Sequence, residues 1–372
     1  FNGWDPSAEK ITIDGEVRDI NGKSFDYIAD HETEVSCLGF SGLHQINQQI
    51  RINYAAQITS DKIDSRTSYD DGSDAAPYIG GYEQGEFQSR SYFKITVLPE
   101  YKFQFDNGQS LTVRSGASFD DTNRNDSELS AIADVTWQKV HANGHSESLY
   151  LAYAESSQVP GYTAIGGSTT SGMFRSNRDL DRETSQNLEL GAKINRADWS
   201  VEAALFYRWD DDLTDWTIDF DNDGPFARSA SPVDIETFGI ELIATKRFEN
   251  FEFITSYTYL DKDEDYGNNA IDASFYALNY ANHRVTFGAI WTPIDMIKFS
   301  IDNEWRSQEE NALRNSDDKA LFTHATLTVY PPNMDDLELF VSIDNAWDDD
   351  FEDVPGTPGR GDQYAVGATY RW

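Results

Sequence analysis

The chain has 372 residues, 29 lysines and arginines against 65 aspartates and glutamates, a net charge of −36, and 13% aromatics. That balance excludes the basic footprint a nucleic-acid binder needs, and the aromatic share excludes an acidic disordered chain. Mean hydropathy is −0.60 and no run of 18 apolar residues exists, so a helical membrane protein is excluded, while a membrane β-barrel, apolar on one strand face only, is not.

The opening "FNGWDPSAEK" has no Met and no charged-then-apolar leader, so no signal peptide is legible; it has been removed, or the chain is a piece of a longer one. Cys37 is the sole cysteine, which rules out an intrachain disulfide. Strand patterns then recur to the end. "ELSAIADVTW" places Leu129, Ala131, Ala133, Val135 and Trp137 on one face. "DWSVEAALFYRW" does so with Trp199, Val201, Ala203, Leu205, Tyr207 and Trp209. "HRVTFGAIW", "MIKFSIDNEWR", "LELFVSID" and the terminal "QYAVGATYRW" repeat the pattern. A side-chain period of two is what a pleated strand imposes. Runs of about ten residues match the length of a tilted strand crossing a bilayer.

The spacing predicts about sixteen strands, near 9–19, 30–41, 45–58, 87–105, 110–119, 128–139, 147–156, 184–195, 199–218, 234–248, 251–261, 279–292, 296–306, 319–330, 337–346 and 362–372. "SGLHQ" is read as the join between the second and third.

Alternation alone suits a soluble sandwich as well. The connections favour a barrel. Short ones at 106–109, 141–145, 196–198, 249–250, 293–295 and 331–336 alternate with long ones near 60–86, 157–182, 210–232, 261–280, 307–318 and 348–360. Outer-membrane barrels segregate tight turns and long loops in this way. Trp137, Trp199, Trp209, Trp291, Trp305, Tyr207 and Tyr259 near strand ends predict interfacial belts. The expected fold is therefore an all-β, antiparallel, up-and-down transmembrane barrel. Ile297, Phe299, Tyr364, Val366, Ala368, Tyr370 and Trp372 face lipid, Asp302, Gly367, Thr369 and Arg371 face the lumen, and the last strand pairs with the first.

At "NRDLDRETSQNLELGAK" the chain resembles the TonB-dependent receptors of Gram-negative outer membranes. Their pattern reads Asn-Pro-x-Leu-x-Pro-Glu-x-Ser/Thr followed by a strand with Glu and Gly. Asn177, Leu180, Glu183, Ser185, Asn187, Glu189 and Gly191 fall in register, with Arg178 and Arg182 where the prolines stand. "AESSQVPGYTAIGG", "NYANHRVTFGAIWTP" and the closing stretch with Asn345, Arg360, Tyr370 and Trp372 also fit, so the resemblance spans about 145–372. It implies the partial barrel of a 22-stranded parent whose plug and first strands lie outside this sequence. It further implies an outer-membrane receptor for a scarce nutrient complex, a ferric siderophore or cobalamin. The partners implied are a small-molecule ligand, TonB acting through the absent plug, outer-membrane lipid, and the barrel assembly machinery at the C-terminal strand. The barrel is expected as a monomer and not as an enzyme. The closing loop "VPGTPGR" leans towards the cobalamin and small-siderophore members. A passive sixteen-stranded porin and a soluble all-β binding module are the alternatives.

The six histidines are scattered and no catalytic constellation stands out. Tyr162, Phe174, Arg175, Trp209 and Trp216, in or near long loops, are the candidate ligand-facing residues. Asp219, Asp221 and Asp223 in "DFDNDG" have calcium-loop spacing and predict a weak calcium site in an extracellular loop, weak because Ala230 stands at the twelfth position, where that loop needs its closing carboxylate. The bland reading of that stretch is a solvated acidic loop. The acidic long loops disfavour an anionic ligand held by charge alone.

Overall fold

The structure is a computed structural model describing residues 10–13, 16–19, 27–69, 89–167, 169, 174–221, 227–267, 269, 271–334, 336–357 and 359–372. The strand predicted over 9–19 is instead a hairpin of two short strands, β1 (Lys10–Ile13) and β2 (Glu16–Asp19), in a sheet of its own. The other seventeen strands form one sheet. In chain order they begin β3 (Tyr27–Gln45), β4 (Ile50–Tyr69), β5 (Ser89–Gln104), β6 (Gln109–Thr122), β7 (Glu128–Val140) and β8 (Ser146–Gln158). A short helix α1 (Tyr162–Gly166) and β9 (Phe174–Arg175) follow, then β10 (Glu183–Asn195), β11 (Trp199–Ile218), β12 (Arg228–Arg247), β13 (Phe251–Asp265) and β14 (Ala273–Ser274). The last are β15 (Ala281–Ile294), β16 (Ile297–Gln308), β17 (Lys319–Val329), β18 (Leu337–Asp344) and β19 (Gln363–Tyr370).

The long strands pair antiparallel with their neighbours in sequence, an up-and-down meander from β3 to β19. Two-residue β9 and β14 dock on β12 (in parallel) and β11. Closure between the last strand and the first is not formed: among the described residues β3 pairs only with β4 and β19 only with β18.

Local chemistry sets the turns. The join of β3 and β4 lies at 46–49, past the "SGLHQ" read from sequence, because Asn47 makes the turn. Its Oδ1 accepts the N–H groups of Gln49 (2.8 Å) and Ile50 (2.9 Å), an Asx turn that needs no glycine. At 106–108 the turn places Asn107 (φ 62°) and Gly108 (φ 73°) in the left-handed region, and a Cβ on Gly108 would meet the Val140 carbonyl.

Register aligns the alternating patterns into bands. One row runs Phe103, Leu111, Trp137, Leu149, Ala192, Ala203, Leu242, Tyr257, Val285, Trp305, Leu321, apolar or aromatic across eleven strands. These side chains are not sealed inside: Leu149 is 50% exposed and Leu321 40%. One residue along the strands, the other face reads Thr112, Thr136, Tyr150, Gly191, Ala204, Glu241, Thr258, Arg284. On that face Ser110, Ser118, Ser130 and Glu100 are buried. A soluble sandwich buries its apolar face; here the polar face is the sheltered one, which marks it as the inside of the wall. The apolar stripe of β11 from Trp199 to Trp209 spans eleven residues, about 25 Å when tilted, the height of a lipid-facing band. Phe251, Trp291 and Phe299 stack across three strands at 5.7 and 5.3 Å at one rim of that band. Phe299, Val366 and Tyr370, predicted to face lipid, are exposed, and Ile297 is half-buried.

The polar face is cross-linked. Arg51, Glu100, Arg114 and Asp134 alternate in sign along one row, joined at Arg51–Glu100 (2.6 Å) and Arg114–Asp134 (2.8 Å). The Tyr150 ring lies across Gly191 on the next strand, where a Cβ would stand 2.2 Å from it, and Phe206 lies likewise over Gly239. An aromatic laid over a cross-strand glycine fills the gap that residue leaves in the sheet.

Candidate ligand-binding site

The long-loop end of the wall folds into a cap. Its frame is the upper part of β11 and β12, which at 20 residues each outrun a bilayer span. A bulge between Asp210 and Leu213, with Asp212 at φ 55°, swaps the faces of β11. Below it Ala204, Phe206, Arg208 and Asp210 share the sheltered face; above it Leu213, Asp215 and Thr217 do. Asp215 is fully buried and accepts from the Tyr266 hydroxyl (2.7 Å) and the N–H groups of Trp216 (2.8 Å) and Ala277 (3.1 Å). Around it, Val233, Ile235 and Ala277 pack with Leu213 and Tyr266, while Ile218, Ala273 and Phe275 pack with Trp216 and Leu313.

The 159–182 connection is tied to β4 and β5, three to four strands from β8 along the sheet. Tyr162, buried in α1, donates its hydroxyl to the Asp61 carboxylate (2.5 Å). Asp61 also takes a two-nitrogen ion pair from Arg90 (2.9 and 3.1 Å), whose guanidinium lies 4.0 Å over the Tyr162 ring and donates to the Pro160 carbonyl (3.1 Å). Burial first, and the Asp61 hydrogen bond second, push the Tyr162 phenol far above its ordinary range, so it stays a donor.

The resemblance motif fastens the same segment. The Asn177 N–H donates to Ala164 O (2.7 Å), and its side chain accepts from the Asp179 N–H (3.0 Å). Leu180 is buried with Ala164, Ile165 and Ala230, against Trp216. Glu183 accepts from the Gln158 amide and the Thr214 N–H. Ser185 donates to Asp210, which also binds Arg208 (2.7 Å), and Glu189 accepts the Tyr150 hydroxyl (2.6 Å). With Gly191 these residues share the polar face of β10. Arg182, a departure from the motif's proline, is 9% exposed and ion-paired to Asp120.

The ligand candidates separate. Phe174 and Trp216 meet edge to face at 5.2 Å, and Arg228 lies 5.5 Å over Phe174 and 3.8 Å over Phe275. Arg175 is beside Phe174 on β9, half-buried. Trp209 stands apart on the apolar outer face, 4.7 Å from Tyr207, at the upper rim of the band. Asp219 accepts the Asp221 N–H (2.9 Å), while Asp223 lies outside the described residues, as does most of the 60–86 loop. Among the described residues no three His, Cys, Asp or Glu side chains gather as a metal site. In the closing loop, Asn345 (φ 46°) donates to the carbonyls of Asp349 and Arg360 (3.1 Å each). Tyr370 and Trp372 are exposed at the end of the chain.

Between the wall and the 159–161 segment lies a cleft of about 540 Å³. Sequence reasoning missed it, since its lining comes from five strands distant along the chain: Gln57 and Thr59 on β4, Arg90, Tyr92 and Lys94 on β5, Asp120 on β6, Ser157 and Gln158 on β8, and Glu183 on β10, with Arg182 just before it.

The TonB dependent receptor-like, beta-barrel family model matches residues 12–346. The chain belongs to that family. This receptor barrel is similar in fold to the FrpB iron transporter from Neisseria meningitidis (13% identity, TM-score 0.62, 92% of this chain and 55% of that one). It is similar as well to the siderophore receptor PirA from Acinetobacter baumannii (14%, TM-score 0.61, 92% and 55%) and to the copper transporter OprC (12%, TM-score 0.63, 92% and 57%). The receptor barrel thus spans about half the length of the solved structures it matches. A search of curated protein sequences finds no match.

Proposed function

We propose that the chain is the barrel portion of a Gram-negative outer-membrane receptor that takes up a scarce metal complex, with a ferric siderophore the favoured class. The observation that carries this reading is the apolar row continuous across eleven strands, backed by a polar, cross-linked inner face. Only a wall standing in lipid makes that arrangement favourable. Family membership and the iron, siderophore and copper functions named for similar structures support the ligand class. No similar structure reported above names cobalamin. In this reading TonB acts through a plug lying outside this sequence, barrel assembly engages the C-terminal strand, and the receptor works as a monomer with no enzymatic activity.

A passive porin is the second reading. Membership of the TonB-dependent receptor family argues against it. The deciding experiment measures uptake of radioactive iron–siderophore complexes by cells carrying the full-length gene, with and without a functional TonB. Gene-dependent uptake that vanishes without TonB is expected. Gene-dependent permeation of small sugars, indifferent to TonB, overturns the proposal in favour of the porin.

A further inference from the structure

We propose that the cleft beside Arg182 is a subsite for a carboxylate-bearing small molecule. This deepens the uptake reading and rests on it for the arrival of a ligand. The first observation is charge. In a chain with 29 basic and 65 acidic residues, the cleft lining carries three cations, Arg90, Lys94 and Arg182, against two anions, Asp120 and Glu183.

The second observation is which groups are already committed. The carboxylates are taken. Asp120 receives Arg182 Nη1 and the Ser157 hydroxyl (2.9 Å). Glu183 receives Gln158 and the Thr214 N–H. Asp61, beside the cleft on the same face as Arg90, receives Arg90 and Tyr162.

The donors are not used up. Among the described residues Lys94, exposed in the cleft, has no ion-pair or hydrogen-bond partner, and the Tyr92 hydroxyl has none either. Arg182, with 8% of its side chain exposed, spends Nη1 on Asp120 and Ser157 and leaves Nε and Nη2 buried without a partner. Buried donors are normally satisfied, and each unmet one costs about 1–3 kcal/mol. Nε and Nη2 form one edge of the guanidinium fork, the edge that matches the two oxygens of a carboxylate.

Engaged carboxylates and spare donors favour an acceptor-rich guest over a cationic one. The acidic loops oppose an anion's approach from a distance, so recognition here comes from directed N–H and O–H groups at contact range.

Citrate and its uncharged analogue triethyl citrate are the probes, titrated calorimetrically into the full-length protein in detergent and calcium-free buffer. Citrate should bind and triethyl citrate should not. Lys94→Gln should weaken citrate by about tenfold or more, the loss of one charge-assisted contact, and Lys94→Glu should abolish binding. Lys94 is exposed, so both variants should keep wild-type heat-modifiable mobility in gels. No citrate binding, equal binding of both probes, or Lys94 variants that bind like wild type each overturn the subsite. The uptake assay above keeps the two proposals apart. TonB-dependent uptake without citrate binding sinks the cleft alone; Lys94-dependent citrate binding without TonB-dependent uptake sinks the transport reading alone.

Discussion

Gly191 sits directly opposite Tyr150, and the Tyr150 ring occupies the space a Cβ on Gly191 would need, reaching over it to donate to Glu189 at 2.6 Å. One small residue thereby sets the position of a ring and of a carboxylate one row away. Gly191→Val should evict the ring and break the Tyr150–Glu189 bond, a destabilisation of about 1–3 kcal/mol. Thermal unfolding of the detergent-solubilised barrel measures it. The double variant Gly191→Val with Tyr150→Ala should recover part of the loss, since the clash is gone.

Tyr162 and Asp61 fasten the 159–167 segment to β4. Tyr162→Phe should cost about 1–2 kcal/mol locally, by leaving Asp61 with Arg90 alone. Hydrogen exchange read by mass spectrometry should speed up over 159–167 and leave β15 to β17 untouched. Uniform acceleration across the sheet would show that the contact supports the whole barrel instead.

The apolar row makes a prediction graded by depth. Arginine at Leu205, within the band, should cost about 2–4 kcal/mol, and arginine at Trp209, on its rim, about 0–1 kcal/mol. Arginine at Phe206, on the inner face of the same strand, should not follow that gradient. Refolding into lipid vesicles gives all three values, and equal costs at Leu205 and Trp209 would contradict a lipid-facing band.

Asp215 is the node of the cap. Asp215→Ala strands the Tyr266 hydroxyl and the Ala277 N–H in the interior, at about 1–3 kcal/mol each. Protease nicking near 266–280 should rise sharply, while barrel mobility in gels stays native. Asp215→Asn, which keeps an acceptor, should be milder.

The wall was legible in the sequence because lipid on one side and polar contents on the other write a period of two into each strand. Fifteen of the predicted strands are present, most with small boundary shifts; β4 ends eleven residues beyond its predicted end and β12 begins six before its predicted start. The segment over 9–19 was misread as one strand, since alternation does not distinguish one long strand from two short ones paired with each other. The β3–β4 turn was misplaced because His44 and Gln45 continue the strand and the reversal rests on Asn47, without glycine or proline. The cap was hardly legible. The bulge at Asp210–Leu213 swaps faces with no mark in the pattern, and α1, β9 and β14 are too short to carry periodicity. Phe174 and Trp216, chosen as loop aromatics, do come together. Trp209, chosen on the same ground, stands in mid-strand among outward rings, surroundings that match the belt reading of the same residue. Arg182 interrupts the motif in sequence, yet in space it supplies an ion pair to Asp120 that no proline could make.

Rings laid over glycines have one more effect, on headroom. Tyr150 and Phe206 lean along the wall, and Phe340 over Gly367 does the same. Rings that would otherwise jut into the bore are folded flush with it. At those three places the width available to a passenger is bounded by backbone and flat aromatic faces, so the inner surface there has low relief and offers a sliding body little to catch on.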